Sequence, residues 1–255
     1  MQERSRDFVQ SLERGLAVIR SFSEDAPRQT LSDVARRTGY SRAACRRLLY
    51  TLEQLNYVGV DGRDFYLSPH TLDIGYSYLA SLSFRRIVEP FIEELSCEVK
   101  ESVSVSVLDE GEVVYVSRVA TSRIMTVSIS VGNRMPAYCT SMGRVLLASL
   151  SVDEQRRRLA TVPMTTFTKY TVTDEDAILA ELAKVAKRGW AMNDQELEVG
   201  LRSVAAPIVD ASRRTVAAMN VSTHVGRVNQ RELREKMLPA LLATTQRVNA
   251  LLTKR

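Results

Sequence analysis

Cysteine and histidine are scarce in this chain, and their scarcity removes whole classes of chemistry. Only Cys45, Cys97 and Cys139 occur among 255 residues, odd in number and far apart, with no Cys-x-x-Cys pair and no paired histidine spacing. A structural zinc site or a disulfide framework is therefore not expected. The two histidines, His70 and His224, stand apart from any matching Asn or Asp constellation, which leaves a histidine-assisted nucleophile without support. No apolar run approaches the length needed to cross a bilayer. Met1 to Asp7 is charged and too poor in apolar residues for a signal peptide, so a cytoplasmic protein is expected. Internal repeats and low-complexity tracts are also lacking.

What is present suits two ordinary domains. A chain of 255 residues can bury a core without covalent staples. Its net charge of +5 suits an anionic partner without proving one.

Residues 30 to 68 carry the most specific signal. Thr30-Leu31-Ser32-Asp33 reads as a capping box opening a short helix that Gly39 stops. Ser41 then caps a second helix running through Arg42, Arg46, Arg47 and Leu55. Ala44, Leu48, Leu52 and Leu55 recur at helical spacing and are expected to pack on Leu31, Val34 and Ala35, and on Leu12, Leu16 and Ile19 of an earlier helix. That seam turns Arg42, Ala43, Arg46, Arg47 and Tyr50 outward. Tyr57–Val60 and Phe65–Leu67 flank Asp61-Gly62-Arg63-Asp64, a hairpin turn with Arg63 at its tip.

Two helices on a tight turn followed by a hairpin make a winged helix-turn-helix, so duplex DNA is the expected partner. The planar fork of arginine fits guanine O6 and N7 together. Base readout is accordingly assigned to Arg42 and Arg46, and phosphate contact to Ser41, Arg47 and Tyr50. Thr30, Ala43 and Arg63 complete the expected DNA-contact set. A basic helical face can instead be a solvated surface balanced by acids, but cap, turn, second cap, basic face and wing follow one another here in order.

After Ser68-Pro69-His70 a linker helix is expected from about Thr71 to Leu82, plausible at a dimer seam, followed by one carrying Val88, Ile92, Leu95 and Val99 with Pro90 in its first turn. Ser102 to Val107 alternates strictly between hydroxyl and valine and returns through Val113 to Val119, a hairpin with one apolar and one hydroxyl-lined face. Met125 to Val131 predicts a third strand and Thr215 to Ser222 a later one. Helices are expected at Thr140–Leu150, Ser151–Ala160, Thr173–Arg188 and from Asn229 to the C-terminal end. Threonine-rich Val162–Val172 reads as a loop, open to being mobile near a pocket. The fold class is α+β around an antiparallel sheet, divided as a winged helix-turn-helix over 1–70, a linker helix over 71–83 and an α+β domain over 84–255.

The second domain also suggests a site. With Thr140 as cap, the amides of Ser141, Met142 and Gly143 are expected to be free at the positive end of a helix, where a carboxylate is stabilised. Asn220 and Ser222 share one strand face and could orient a ligand there. Arg134 could pair with its carboxylate, and Tyr138 or Met142 could cover a ring. A surface arginine and a plain core tyrosine are the competing expectations.

The order of parts resembles the IclR family of bacterial transcription regulators over nearly the whole chain. Ser11-Leu12-Glu13-Arg14-Gly15-Leu16, Gly189-Trp190-Ala191-Met192-Asn193-Asp194 and Gly200–Ile208 match its pattern. Arg134 to Arg144 resembles the branch controlling protocatechuate, 4-hydroxybenzoate and β-ketoadipate catabolism. The resemblance implies a GAF-like ligand domain, dimers or tetramers, and control of an operon by a small carboxylic or aromatic acid; separately, no cofactor, metal or membrane partner is expected. Its pocket positions fall on Ser141, Met142, Asn193 or Asp194, Leu201, Ser203, Asn220 and Ser222. The family often has cysteine where Ser203 stands and serine where Asn220 stands.

Two other functions compete. Cys139, just before a helix start that can lower a thiol pKa, could be the nucleophile of an enzyme with His70 or His224 as base. It could alternatively be a redox sensor beside the same DNA module, although Cys45 looks like core and no resolving cysteine is obvious.

Overall fold

The computed structural model describes residues 7–121 and 129–253. The chain divides into two compact units, Met1–Ser81 and Leu82–Arg255.

In the first unit, α1 (Gln10–Arg20), α2 (Leu31–Thr38) and α3 (Arg42–Gln54) pack around Val18, Phe22, Val34, Cys45, Leu49 and Leu52. The caps behave as the sequence requires. Thr30 and Asp33 close a reciprocal capping box, Gly39 ends α2 in the left-handed region at φ 72°, and the Ser41 hydroxyl accepts from the Ala44 amide. Strands β2 (Val58–Asp61) and β3 (Asp64–Leu67) form the wing hairpin. A three-residue strand absent from the sequence reading, β1 (Arg28–Thr30), adds to the other edge of β3.

The buried seam of α3 is rotated from the expected one. Cys45 and Leu49 are fully buried, whereas Leu55, Leu12 and Leu16 are exposed. Those three line, with Ala44, Leu48 and Ile74, an open groove of about 700 Å³. The reason lies in the partner helices: Val18 and Phe22 of the α1 end, not Leu12 and Leu16, reach the three-helix centre. After a 3-10 turn, α4 (Leu72–Ser81) has no buried residue.

In the second unit six strands form one antiparallel sheet in the order β6-β5-β4-β9-β8-β7. They are β4 (Ser102–Asp109), β5 (Glu112–Val119), β6 (Arg134–Pro136), β7 (Ala191–Asp194), β8 (Leu201–Val209) and β9 (Thr215–His224). Helices α5 (Arg85–Val99) and α10 (Leu238–Leu252) pack against β4, β5, β8 and β9. Helix α6 (Ser141–Ala148) crosses β4, β7, β8 and β9, with α8 (Glu175–Arg188) packed behind it. Helix α7 (Val152–Leu159) joins these, and α9 (Gln230–Glu232), capped by Asn229, leads through a π-helical turn into α10.

Three local expectations change. Helix α5 starts at Arg85, so Pro90 sits in its second turn; the proline is exposed, and the hydrogen bond it cannot donate is lost on the solvent side. The strand expected at Met125–Val131 lies mostly outside the described residues, and Ile129–Val131 is irregular. The threonine-rich segment is irregular but tethered: Thr168 donates to the Gln195 carbonyl and Thr171 to that of Glu196.

Candidate functional site

The outer face of α3 is built by its cap and its core together. Ser41 fixes where the helix starts, burial of Cys45, Leu49 and Leu52 fixes its rotation, and Arg42, Ala43, Arg46, Arg47 and Tyr50 are left exposed. The neighbouring arginines are neutralised: Arg28 pairs with Asp61, Arg36 with Asp33 and Arg37 with Asp25. Among the described residues Arg42, Arg46, Arg47 and Arg63 have no such acid. A solvated, charge-balanced face describes Arg36 and Arg37; it does not describe α3. Thr30 is corrected, because its hydroxyl donates to Asp33 at 2.7 Å and accepts from the Asp33 amide, which commits it to the cap.

The second site lies on one face of the large sheet. On β4 the serines Ser102, Ser104 and Ser106 share a side by parity. Across the ladder Ser104 faces Arg118 of β5 and Asn220 of β9. One row along, Ser102 faces Ser222, which faces Ser203 of β8, which faces Asn193 of β7. Two hydrogen bonds join helix α6 to this face: the Ser141 hydroxyl meets that of Ser203 at 2.8 Å, and Ser106 donates to the Met142 sulfur at 3.3 Å. Asn220 stands in register midway between those points, on the strand between them.

Helix α6 is held hard against the sheet. A Cβ on Gly143 would stand 2.2 Å from the Ala137 carbonyl oxygen, so only glycine permits that approach. The Arg144 guanidinium, itself buried, donates to the Tyr138 carbonyl and to both carboxylate oxygens of Glu196. Asn193 donates to the Cys139 carbonyl and accepts from the Glu196 amide, so it braces the turn before α6. The helix start itself offers fewer free amides than expected. Gly143 already donates to the Thr140 hydroxyl at 3.1 Å, which leaves the amides of Ser141 and Met142.

Six of the ten expected effector residues therefore converge: Ser141, Met142, Asn193, Ser203, Asn220 and Ser222. Leu201 shares the parity of Ser203 at the start of β8. Three fall elsewhere. Arg134 is on the surface and bound by Asp109 and Glu112, each at 2.7 Å. Tyr138 is fully buried and its hydroxyl donates to the Thr165 carbonyl at 2.6 Å. Asp194, of opposite parity to Asn193, binds Arg202 and Gln230.

Sequence reasoning missed Arg118. It is half-buried, its Nη1 donates to Ser104 at 3.0 Å, and its Nε is buried without a partner. The other substantially buried arginines meet acids: Arg144 with Glu196, Arg202 with Asp194. Loss of water around the Arg118 guanidinium lowers its proton affinity below the ordinary arginine value. The available signal was a charged residue inside the valine-rich strand Val116-Ser117-Arg118-Val119. The carbonyl end of Asn220, almost fully buried, also lacks a partner.

Cys139 does not fit a reactive role. Its thiol is buried, lies 3.8 Å from the Pro136 carbonyl, and is pushed up to about 12 by burial and then by Glu196. The expected lowering by the following helix is outweighed by desolvation. No cluster of three or more metal-ligating side chains occurs among the described residues, and no helix there is long and apolar enough to cross a membrane.

Two family profiles match: the IclR helix-turn-helix domain over residues 11–62 and the C-terminal domain of bacterial IclR transcriptional regulators over 76–250. The Pca regulon regulatory protein of Pseudomonas putida is 43% identical over 241 residues, 94% of this chain and 83% of that protein. A transcriptional regulator from Rhodococcus sp. RHA1 has a crystal structure that superposes with a TM-score of 0.86 at 48% identity, covering 97% of this chain and 99% of that one. A double mutant of the inducer-binding domain of the Acinetobacter transcription factor PobR, solved with 3-hydroxybenzoic acid, gives 0.61 at 32% identity, over 65% of this chain and 97% of that one.

Proposed function

The chain belongs to the IclR family of bacterial transcriptional regulators, and on that premise we propose that it binds operator DNA through α3 and the wing and senses a small aromatic or dicarboxylic acid on the α6 face of its sheet. The observation that carries the sensing half is the convergence of Ser104, Ser141, Ser203, Asn220 and Ser222 on one buried face. Ser141 pairs with Ser203 and Asn220 with Ser222, yet the Asn220 carbonyl oxygen and the Arg118 Nε on the same face stay buried without partners, and buried polar groups are ordinarily satisfied. The double-mutant PobR inducer-binding domain, solved with 3-hydroxybenzoic acid, supports the chemical class by likeness.

In the DNA-reading half, Arg42 and Arg46 read base edges while Ser41, Arg47 and Tyr50 hold phosphates, with Ala43 against the groove wall and Arg63 on the backbone or in the minor groove. Among the described residues the Ser41 hydroxyl meets the Ala44 amide alone, as acceptor, so its own proton is available to a phosphate. Two copies would place their α3 helices in successive major grooves about 34 Å apart, on a near-palindromic operator.

Coupling of about 1 to 3 kcal/mol between acid binding and the DNA-competent arrangement is enough to switch a promoter. The test is footprinting of the full chain on its neighbouring intergenic DNA with and without protocatechuate or 4-hydroxybenzoate. The expected result is a near-palindromic footprint whose affinity or extent changes with acid. A footprint indifferent to every small acid contradicts the sensing half, and no footprint contradicts the DNA half.

A further inference from the structure

Arg118 has a charge that no carboxylate among the described residues answers. Its ladder neighbour Ser104 supplies a single hydroxyl, its Nε is buried and unpartnered, and Tyr115, the nearest titratable group on the same strand, is a neutral phenol pushed up to about 12 by burial. The sequence of residues 122–128 contains no acid. A desolvated guanidinium without a carboxylate costs stability and is retained where a partner arrives from outside. The Ser104 hydroxyl accepts from Arg118, which leaves its own proton able to donate to an anion beside the guanidinium.

The neighbouring position on the ladder carries a second vacancy of bonding. Asn220 donates to Ser222 at 2.9 Å, and its carbonyl oxygen is buried without a donor. Turned over, the amide would accept from Ser222 and leave its NH2 unfilled instead. In both settings the missing partner is a ligand oxygen: a hydroxyl in the first, a carbonyl or carboxylate in the second. Arg118, Ser104 and Asn220 lie in one row across β5, β4 and β9, so adjacent strands at about 4.8 Å set the span of a benzoate-sized or six-carbon acid.

Resting on the acid-sensing function above, we infer that Arg118, with Ser104, is the carboxylate clamp of this site, and that Asn220 reads a second oxygen function on the same ligand. Arg134 has no part in it, and the two free amides of α6 face the ligand's far end.

Calorimetry on the full chain tests this with protocatechuate, 4-hydroxybenzoate and 3-oxoadipate, on wild type, R118M, R118K and N220A. Wild type is expected to bind at least one acid. R118M should weaken it about 100-fold and R118K about tenfold, while the matching carboxamide should bind wild type and R118M alike. N220A should weaken 4-hydroxybenzoate more than unsubstituted benzoate. The ligand-free R118M chain should melt no lower than wild type, since an unanswered charge has been removed. An acid held equally by wild type and R118M, or an R118M chain that melts well below wild type, overturns the clamp. A wild-type chain that binds none of the acids removes the sensing function itself, a separate failure from the first.

Discussion

Arg144 and Glu196 face each other in a two-pronged ion pair, with Nη1 to Oε1 at 2.6 Å and Nη2 to Oε2 at 2.7 Å, both side chains withdrawn from water. The pair ties α6 to the segment after β7, and Glu196 also accepts from the Val172 amide. Removing one partner strands the other as a buried charge. Glu196→Ala should therefore destabilise the second unit by about 3 to 5 kcal/mol, read from the midpoint of urea unfolding. A loss below about 1 kcal/mol would mean that water reaches Arg144 easily.

The division of labour on α3 separates by salt and sequence. Arg46→Ala should cost about 1 to 3 kcal/mol on the best operator and relax preference at one base pair. Arg47→Ala should weaken all duplexes alike and reduce the salt slope by about 0.9. Anisotropy titrations at several salt concentrations decide it, and uniform weakening by both variants would show that Arg46 reads no base.

Thiol reactivity tests the exclusion of Cys139. Cys97 is exposed, while Cys45 and Cys139 are buried. A disulfide reagent at pH 8 should titrate one thiol rapidly, and C97S should remove that phase. A fast phase surviving in C97S and lost in C139S would restore a redox role.

Acid stability should report Asp194. Burial raises its carboxyl, but hydrogen bonds from Arg202 and Gln230 outweigh that and hold it below the usual aspartate value. Its folded pKa is depressed, so its stabilisation is fully present above about 3.9, the unfolded value, and is lost as pH falls through the lower folded value. Asp194→Asn should lower stability at neutral pH and flatten the acid limb of the unfolding curve. An unchanged acid limb would show that the pair contributes nothing.

Much of this molecule is legible in its sequence because the relevant forces are local. The Thr30–Asp33 box, the Gly39 and Gly189 stops and the Ser41 cap act within a few residues, and hydroxyl–valine alternation in Ser102–Val107 fixes a strand and its faces. Errors arose where partners are distant. Arg134 and Arg118 look alike as residue types, but Asp109 and Glu112 neutralise the first across a hairpin, while among the described residues the second hydrogen-bonds Ser104 and no acid. Tyr138 was drawn away by the Thr165 carbonyl, 27 residues on. Strand β1 is three residues long and exists only because β3 offers a free edge. The core face of α3 depended on which end of α1 reaches it, which periodicity alone leaves open.

Hydrogen exchange on the full chain, with and without saturating protocatechuate or 4-hydroxybenzoate, tests the location of the sensing site most directly. Protection should rise in the segments carrying Ser104, Arg118, Ser141–Met142 and Asn220–Ser222, where ligand contacts would slow opening of the backbone. Protection confined to the groove between α1 and α3, with the sheet segments unchanged, would contradict it.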